Sequence, residues 1–372
     1  MKKKIAILGS TGSIGKTLLK ILKKDKKSFV IDLLSANKDY KTLLKQAKDF
    51  NVKNIVITNK QSFKKALDKS KNKTKYIKIH NNFDDLQKIF PKKIDYVMSS
   101  IVGLDGLIPT FKIIKFTKKI AIANKETIIC AWNLIRKELK KNKTEFIPVD
   151  SEHFSIWYAL KNNSEANLDN IYLTASGGPL LNVPFKNFNK VKIRKIINHP
   201  NWNMGAKISV DSSTMMNKVF EIIEAKKIFN LKYKQLSILI HPKSYVHAIL
   251  KFKDGLIKLV AHETTMQIPI TNTLYQKDFK KFKNKKINLD RLNDLKLSLI
   301  NKNKFPTTKI IKNLPEKDSL FETVLVSIND ELVRLYLNKK FPYSILISKL
   351  FKLMNKKEFV KYKFIEPKKI TD

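Results

Sequence analysis

The feature that most narrows the folds open to this chain is a glycine-rich stretch near its start. Gly9-Ser10-Thr11-Gly12-Ser13-Ile14-Gly15 follows the apolar run Lys4–Leu8 and opens the helically spaced segment Lys16–Lys24, with Leu18, Leu19, Ile21 and Leu22 as its apolar positions. Glycines at such a junction permit a tight turn and let backbone N–H groups approach a pyrophosphate, and the helix N-terminus adds partial positive charge. Glycine-rich turns also occur without ligands, so the strand–loop–helix context carries the reading. Phe29–Ser35, Asn54–Thr58, Asp95–Ile101 and Lys119–Ala123 read as further strands, with a helix at Leu43–Phe50. This alternation predicts an α/β fold with a Rossmann-like, doubly wound parallel sheet. Short apolar strands fit burial on both faces.

After Val149 the alternation stops. Asn170–Ala175 and Gln235–Ile240 read as strands, Ser213–Phe229 as a helix, and Tyr245–Phe252 with Leu256–Ala261 as sheet. Helical spacing governs Ser319–Leu337 and Tyr343–Met354. At ~100–200 residues per domain, the 372 residues allow two or three domains. The expected division is a dinucleotide-binding domain at 1–149, an α+β catalytic domain at 150–276, a linker at 277–291 and a small helical domain at 292–372. Lys69–Lys78 and the Lys- and Asn-rich stretch Lys277–Leu289 read as surface segments.

The net charge is +43. That raises a nucleic-acid or anionic-membrane reading. The lysines run along the whole chain, however, and neither a zinc finger nor a basic region with heptads accompanies them, so no specific nucleic-acid partner is expected. A positive field still favours phosphorylated ligands. Cys130 is the only cysteine, which excludes an intrachain disulfide and a Cys-based metal site and fits a reducing compartment. Met1-Lys2-Lys3-Lys4 followed by Ile5-Ala6-Ile7-Leu8 stops at Gly9, short of the ~7–15-residue apolar core of a signal peptide. No run approaches the ~18 apolar residues of a membrane span. A cytoplasmic protein without a membrane partner is expected.

Three sites invite chemistry. After the second strand, Ser35-Ala36-Asn37-Lys38-Asp39 offers Lys38 to the 2′-phosphate of NADP and Asp39 to the 2′-hydroxyl of NAD, which leaves the cofactor open. Asp150-Ser151-Glu152, if extended, points two carboxylates the same way. Such a pair needs a cation or a shared proton, and a hard divalent ion suits oxygen ligands, although an exposed turn explains the triplet equally well. In the predicted helix, Asn217 and Glu221 share a face at i, i+4, with Lys218 beside them. Met215, Met216, Val219, Phe220 and Ile223 read as core, and a lone Lys–Glu pair on a helix is normally solvated.

Taken in order, these pieces resemble the 1-deoxy-D-xylulose 5-phosphate reductoisomerase family, from Gly9 through the C-terminal helices. The resemblance rests on Gly9–Gly15, Ala123-Asn124-Lys125-Glu126, Pro148-Val149-Asp150-Ser151-Glu152-His153, Ala175-Ser176-Gly177-Gly178-Pro179, His199-Pro200-Asn201-Trp202, Met204-Gly205, Lys207–Lys218, His241-Pro242 and Asn329-Asp330-Glu331. It implies an enzyme that rearranges 1-deoxy-D-xylulose 5-phosphate and reduces the product aldehyde with NADPH, assisted by Mn²⁺, Mg²⁺ or Co²⁺, in a homodimer.

By the same resemblance, Thr11, Gly12, Ser13 and Ile14 hold the cofactor pyrophosphate and Asn37 and Lys38 lie near the ribose. Asn124, Glu126 and Gly205 contact the cofactor. Lys125 and Ser151 contact substrate oxygens, and Asp150, Glu152 and Glu221 ligate the metal. Ser176, Ser212, Asn217 and Lys218 hold the phosphate, His199 lies beside the substrate, and Asn198–Gly205 forms a lid with Trp202 as its apolar plug. The chain departs from the family at Val219-Phe220, where Gly-Leu is usual, at Thr264-Thr265-Met266-Gln267, where a Pro-Asp-Met-Arg-like segment is usual, and at Asp39, where Asn is commoner. The glycine loop alone would also serve another NADP-dependent oxidoreductase of a phosphorylated carbonyl compound.

Overall fold

The computed structural model describes residues 2–70, 76–161, 167–275 and 286–372. Most of Lys277–Leu289 and the middle of Lys69–Lys78 lie outside the described residues. The chain forms two compact units.

The first unit is built on seven strands: β1 (Lys3–Leu8), β2 (Phe29–Ala36), β3 (Asn54–Ile57), β4 (Lys78–His80), β5 (Tyr96–Ser99), β6 (Lys119–Ile122) and β7 (Glu145–Pro148). They pair in the order β4-β3-β2-β1-β5-β6-β7, and every pairing is parallel. Parallel pairing requires crossover connections, so helices cover the faces, and the four apolar residues Ile5–Leu8 of β1 are fully buried at its centre. The strand order reverses between β1 and β5. In such sheets ligands bind beyond the carboxyl ends of the strands at that switch point. The glycine loop leaves β1 there.

A late segment returns to this unit. The helix Gln267–Tyr275 sets Ile270 and Leu274 into the first unit's apolar core. Tyr275 donates to Asp25 Oδ2 at 2.9 Å and meets the Phe29 ring edge-on, while the hydroxyls of Tyr96 and Thr273 pair at 2.9 Å.

The second unit carries a five-stranded sheet in the order β11-β10-β8-β9-β12, with β8 at Leu168–Ala175, β9 at Leu236–Ile240, β10 at Val246–Phe252, β11 at Ile257–Ala261 and β12 at Ser298–Leu299. Only β8 and β9 pair in parallel. One apolar cluster joins Ile171 and Leu173 of β8, Val219 and Ile223 of the helix Met216–Ile228, and Leu325, Tyr336, Leu346 and Leu350 of the C-terminal helices Phe321–Leu337 and Tyr343–Met354. Sheet and C-terminal helices therefore share one core.

Two local expectations change. The predicted helix over Ser213–Phe229 is two helices, Ala206–Thr214 and Met216–Ile228, because Met215 sits between them in the left-handed region with φ +64°. The hydroxyls of Ser213 and Thr214 turn back onto backbone carbonyls, which competes with helix continuation. The triplet at Asp150 is not extended either: Ser151 starts the helix Ser151–Leu160, so Glu152 lies in a first helical turn.

Truncating Ile270 tests the placement of the returning helix. Ile270→Ala is expected to lower unfolding free energy by about 2–5 kcal/mol, as for other buried Ile side chains. Urea titration followed by circular dichroism measures this; no shift in the midpoint would remove Gln267–Tyr275 from the first unit's core.

Candidate active site

In the first unit the loop after β1 is shaped by contacts that only glycine admits. A Cβ on Gly9, at φ +81°, would stand 2.7 Å from the Ser100 carbonyl oxygen, and one on Gly15 would stand 2.5 Å from Ser10 Cα. Ser10 is buried and locks the turn: its hydroxyl donates to Gln46 Oε1 at 2.7 Å, and Gln46 Nε2 donates back to the Ser10 carbonyl at 3.0 Å. The helix Ser13–Lys24 has Gly12 at its N-cap and no side-chain cap, so its first N–H groups remain for an anion. Ser13 and Ile14 form that first turn.

A cleft of about 1040 Å³ opens beside this loop. Thr11, Gly12, Asn37 and Lys38 line it, as do Asn59 and Lys60, which sequence reading missed. The signal for those two was the register of β2 and β3, which pairs Ala36 with Ile57. Hydrogen bonds from Thr58 N to Ala36 O (3.2 Å) and from Asn59 N to Asn37 O (3.4 Å) extend the pairing past the strand ends. Lys38 and Lys60 thus leave neighbouring strands onto one cleft. Asp39 does not line it; its carboxylate caps the helix Tyr40–Asp49 by accepting from Thr42 N at 3.1 Å. The acid that left the cofactor open is engaged in a helix cap.

Asn124 caps the helix Lys125–Lys141, and its amide donates to the carbonyls of Ile101 and Gly103, fixing the loop after β5. Glu126 is buried in the first turn of that helix. Lys125 Nζ donates to Asp150 Oδ2 at 3.2 Å.

In the second unit, Glu152 and Glu221 each bring a carboxylate oxygen within 4.8 Å of the other. Lys218 stands between them, donating to Glu152 Oε1 at 2.9 Å and pairing with Glu221. The expected solvated Lys–Glu pair is instead buried, with Lys218 only 5% and Glu221 only 1% exposed. Burial alone would lower the Lys218 pKa, but the two carboxylates overcome it and hold the ammonium above its ordinary range. Asn217 donates to Glu221, and Ser151 donates to Glu152 Oε2 at 2.5 Å. His153, not singled out from the sequence, ties the two helices by donating through Nε2 to the Glu221 carbonyl at 2.9 Å.

Ser176 and Ser212, two of the residues expected to hold phosphate, come together at Gly178. Its φ is +65°, and a Cβ there would stand 2.8 Å from the Ser212 carbonyl oxygen, so the turn after β8 sits against the helix Ala206–Thr214. Ser176, in that turn, accepts from Gly178 N at 3.0 Å and pairs with His199 Nε2 at 2.9 Å. His199 Nδ1 accepts the backbone N–H groups of Asn201 and Trp202, both at 3.1 Å. With Nδ1 an acceptor, the imidazole proton belongs on Nε2, which donates to Ser176. Burial lowers the His199 pKa to about 4, so the ring is neutral near pH 7. Trp202 is half-buried, and its ring meets His247 edge-on at 5.9 Å. Gly205 caps the helix Ala206–Thr214 with open space about it.

The C-terminal signature supports this helix: Asn329 donates to Asp211 at 2.8 Å, and Lys207 bridges Asp211 (3.2 Å) and Asp330 (2.9 Å). Lys207 also lies 5.6 Å from the centre of the Phe220 ring. Val219 and Phe220 are both buried, so that departure from the family pattern changes packing.

A switch-point cleft beside a glycine-rich strand–helix loop in the first unit, and a buried lysine–carboxylate cluster in the second, are features of a dinucleotide-dependent enzyme of the oxidoreductase class. The comparisons narrow the class. The model for 1-deoxy-D-xylulose 5-phosphate reductoisomerase matches residues 5–132, and models of its C-terminal domains match 146–229 and 262–371. The chain is 57% identical over its whole length to the 1-deoxy-D-xylulose 5-phosphate reductoisomerase of Pelagibacter ubique, covering 95% of it. It is 36% identical over 92% of its length to that of Clostridium perfringens, covering 89% of that protein. It superposes on the Zymomonas mobilis reductoisomerase in complex with NADPH with TM-score 0.88 at 26% identity, covering 100% of this chain and 95% of that one. A reductoisomerase bound to NADPH, fosmidomycin and magnesium gives 0.88 at 28% identity, covering 96% and 90%. The chain belongs to the 1-deoxy-D-xylulose 5-phosphate reductoisomerase family. Among the described residues no helix is long and apolar enough to cross a membrane.

The His199 assignment has a pH signature. A folded-state pKa of about 4 lies below the ordinary 6.5, so the unfolded chain binds more protons between those values. The contribution is therefore full above pH 6.5 and is lost as pH falls toward 4. Nitrogen-15 spectra should show a neutral Nε2–H ring at pH 6, and His199→Asn should flatten part of the acid-side loss of stability. A ring titrating near 6.5 would contradict the assignment.

Proposed function

We infer that this chain rearranges 1-deoxy-D-xylulose 5-phosphate and reduces the product aldehyde with NADPH to 2-C-methyl-D-erythritol 4-phosphate, a step of the non-mevalonate supply of isoprenoid precursors. The observation that carries this reading is the Glu152–Lys218–Glu221 cluster, with Lys218 and Glu221 buried and Glu152 partly so, set one residue from Asn217 and close in sequence to Ser212, within a chain of this family.

Asp150, Glu152 and Glu221 are the proposed metal ligands. Two carboxylates facing one ammonium retain a negative charge, which suits a hard cation bound by oxygen donors. Asp150 precedes Glu152 by two residues, so chain geometry alone keeps their Cα atoms within about 7.6 Å. When bound, Mg²⁺, Mn²⁺ or Co²⁺ supplies Lewis acidity toward the adjacent ketone and hydroxyl oxygens, and NADPH supplies the hydride.

The chain's own groups place the substrate. Ser176 already accepts from Gly178 N–H and His199 Nε2–H, which leaves its hydroxyl proton to donate to a phosphate oxygen. Ser212, the Asn217 amide and the Lys218 ammonium complete a donor set for a dianion. Lys125 orients Asp150, and Ser151 lies beside Glu152 to meet a substrate oxygen. Closure of Asn198–Gly205 with Trp202 excludes water from the aldehyde.

For the cofactor, Lys38 and Lys60 provide paired positive charge for the 2′-phosphate, with Asn37 beside them. Homodimer formation is supported by β11, an edge strand that leaves Leu256, Ile257 and Leu259 exposed at its start and along it. A cytoplasmic setting accords with a chain that carries one cysteine, the buried Cys130, and so no disulfide framework.

The direct test is NADPH oxidation dependent on deoxyxylulose phosphate, with and without chelator. Activity should vanish with chelator and return with Mn²⁺, and Glu221→Gln should lower kcat by about a hundredfold or more while leaving the KM for NADPH unchanged. Metal-independent turnover, or full activity in Glu221→Gln, would refute the ligand set. Lys38→Ala and Lys60→Ala should each lower kcat/KM for NADPH about tenfold, the scale of one charge-assisted hydrogen bond, without changing that for NADH. Equal losses with both cofactors would remove these lysines from 2′-phosphate recognition.

A further inference from the structure

Behind the Trp202 segment lies a column of rings of which the proposed reaction uses only Trp202. Trp202 meets His247 edge-on at 5.9 Å, His247 stacks on His262 at 3.8 Å with the rings 20° apart, and His262 meets Phe154 edge-on at 6.3 Å. Both histidines are buried. At one end of the column, Trp202 N donates to His199, which in turn holds Ser176. At the other, Phe154 stands two residues beyond Glu152 on the helix Ser151–Leu160. The middle of the column thus spans from the phosphate side of the site to the carboxylate helix.

The backbone builds this stack. The β10–β11 register slips between Val246 and Ala248, so His247 occupies a bulge, which redirects its side chain. His247 Nε2 donates to the His262 carbonyl at 3.1 Å, and His262 N donates to the Tyr245 carbonyl at 2.9 Å. His262 Nδ1 donates to the Glu263 carbonyl at 2.8 Å, which fixes the ring plane. Its Nε2 is buried without a hydrogen-bond partner, so polar bonding through that atom does not explain the ring's position. What the His262 ring contributes is a flat face. The two imidazoles stack on each other, and each has one edge-on aromatic neighbour at a separation typical of T-shaped pairs.

We propose that His262 is a positioning residue: its ring supports His247, and through it holds Trp202 in place beside His199 and Ser176 for sugar-phosphate binding. This rests on the reading of Asn198–Gly205 as the lid of the substrate site. Nothing in the role requires His262 to touch substrate or to change protonation; it requires a planar ring at that position.

The experiment separates ring from hydrogen bond. His262→Phe keeps the flat face and loses the Nδ1 donor, whereas His262→Asn keeps a short polar group and loses the face. His262→Asn should raise the KM for 1-deoxy-D-xylulose 5-phosphate about tenfold while the KM for NADPH stays within about twofold, and His262→Phe should restore the substrate KM to within about threefold of wild type. An unchanged substrate KM in His262→Asn, a parallel rise in both KM values, or an Asn variant that matches the Phe variant would each overturn the proposal. A second readout needs no turnover. With Trp132→Phe and Trp157→Phe in place, Trp202 is the only tryptophan. Its emission should shift to the red in His262→Asn and not in His262→Phe; identical spectra would overturn the proposal even if the enzyme acts on a different substrate. Absence of deoxyxylulose phosphate turnover in the wild type would count against the functional reading and leave the emission test of the column intact.

Discussion

Two carboxylates cannot both remain ionised in a buried site unless positive charge stands with them, and in this protein Lys218 supplies it to Glu152 and Glu221. The arrangement depends on structure well away from the three side chains. Met215, in the left-handed region, ends one helix and starts the next, so Asn217 and Lys218 fall in a first helical turn. His153 clamps the carboxylate helix to the Glu221 backbone. Removing one member of such a buried group leaves uncompensated charge, typically at a cost of about 3–5 kcal/mol. The core packed around Val219, Phe220 and Ile223 keeps the geometry fixed against that penalty. The same excess of negative over positive charge that makes the cluster demanding to bury makes it receptive to a cation.

The dinucleotide cleft solves an opposite problem with few formal charges. At its loop the anion-binding capacity comes from uncapped N–H groups and from close backbone approaches at Gly9 and Gly15, while Ser10 and Gln46 spend their polar atoms on rigidity. Positive charge enters the cleft's lining through Lys38 and Lys60, where the strand register of β2 and β3 brings two loops side by side. In the proposed binding mode, backbone dipoles would meet the part common to all dinucleotides, and the lysines the part that distinguishes one from another.

Much of this was legible from the chain because the informative patterns are local. The glycine loop has meaning only between a strand and a helix, and both flanks are visible within 20 residues. The strands β2, β3, β5 and β6, though not their order in the sheet, followed from apolar runs. The missed pieces depend on distant parts of the chain. The helix Gln267–Tyr275 joins a core made largely of residues before Val149, and no periodicity announces a return over that distance. The break at Met215 is invisible because one left-handed residue leaves apolar spacing on either side undisturbed. The Lys218–Glu221 pair looks like any solvated i, i+3 pair until Glu152 arrives from 66 residues earlier and the core closes around it. Asp39 was ambiguous for a local reason: its side chain answers to Thr42, three residues on, and a cap and a ribose ligand look alike in a sequence.

The net charge of +43 is a poor guide to where phosphate groups are held. Charge dispersed over a surface acts at long range and is screened over about 8–10 Å at moderate salt. What discriminates a phosphorylated sugar is the count of donors that have nowhere else to point. Ser176 illustrates this: its acceptor capacity is filled by Gly178 N–H and by a histidine held neutral through burial, so its proton remains for a ligand oxygen. Were His199 charged, it would lose the Nδ1 lone pair that accepts from Asn201 and Trp202. The turn at Asn201 and Trp202 thus relies on an uncharged imidazole, while Lys218 is kept ionised by its own carboxylate partners.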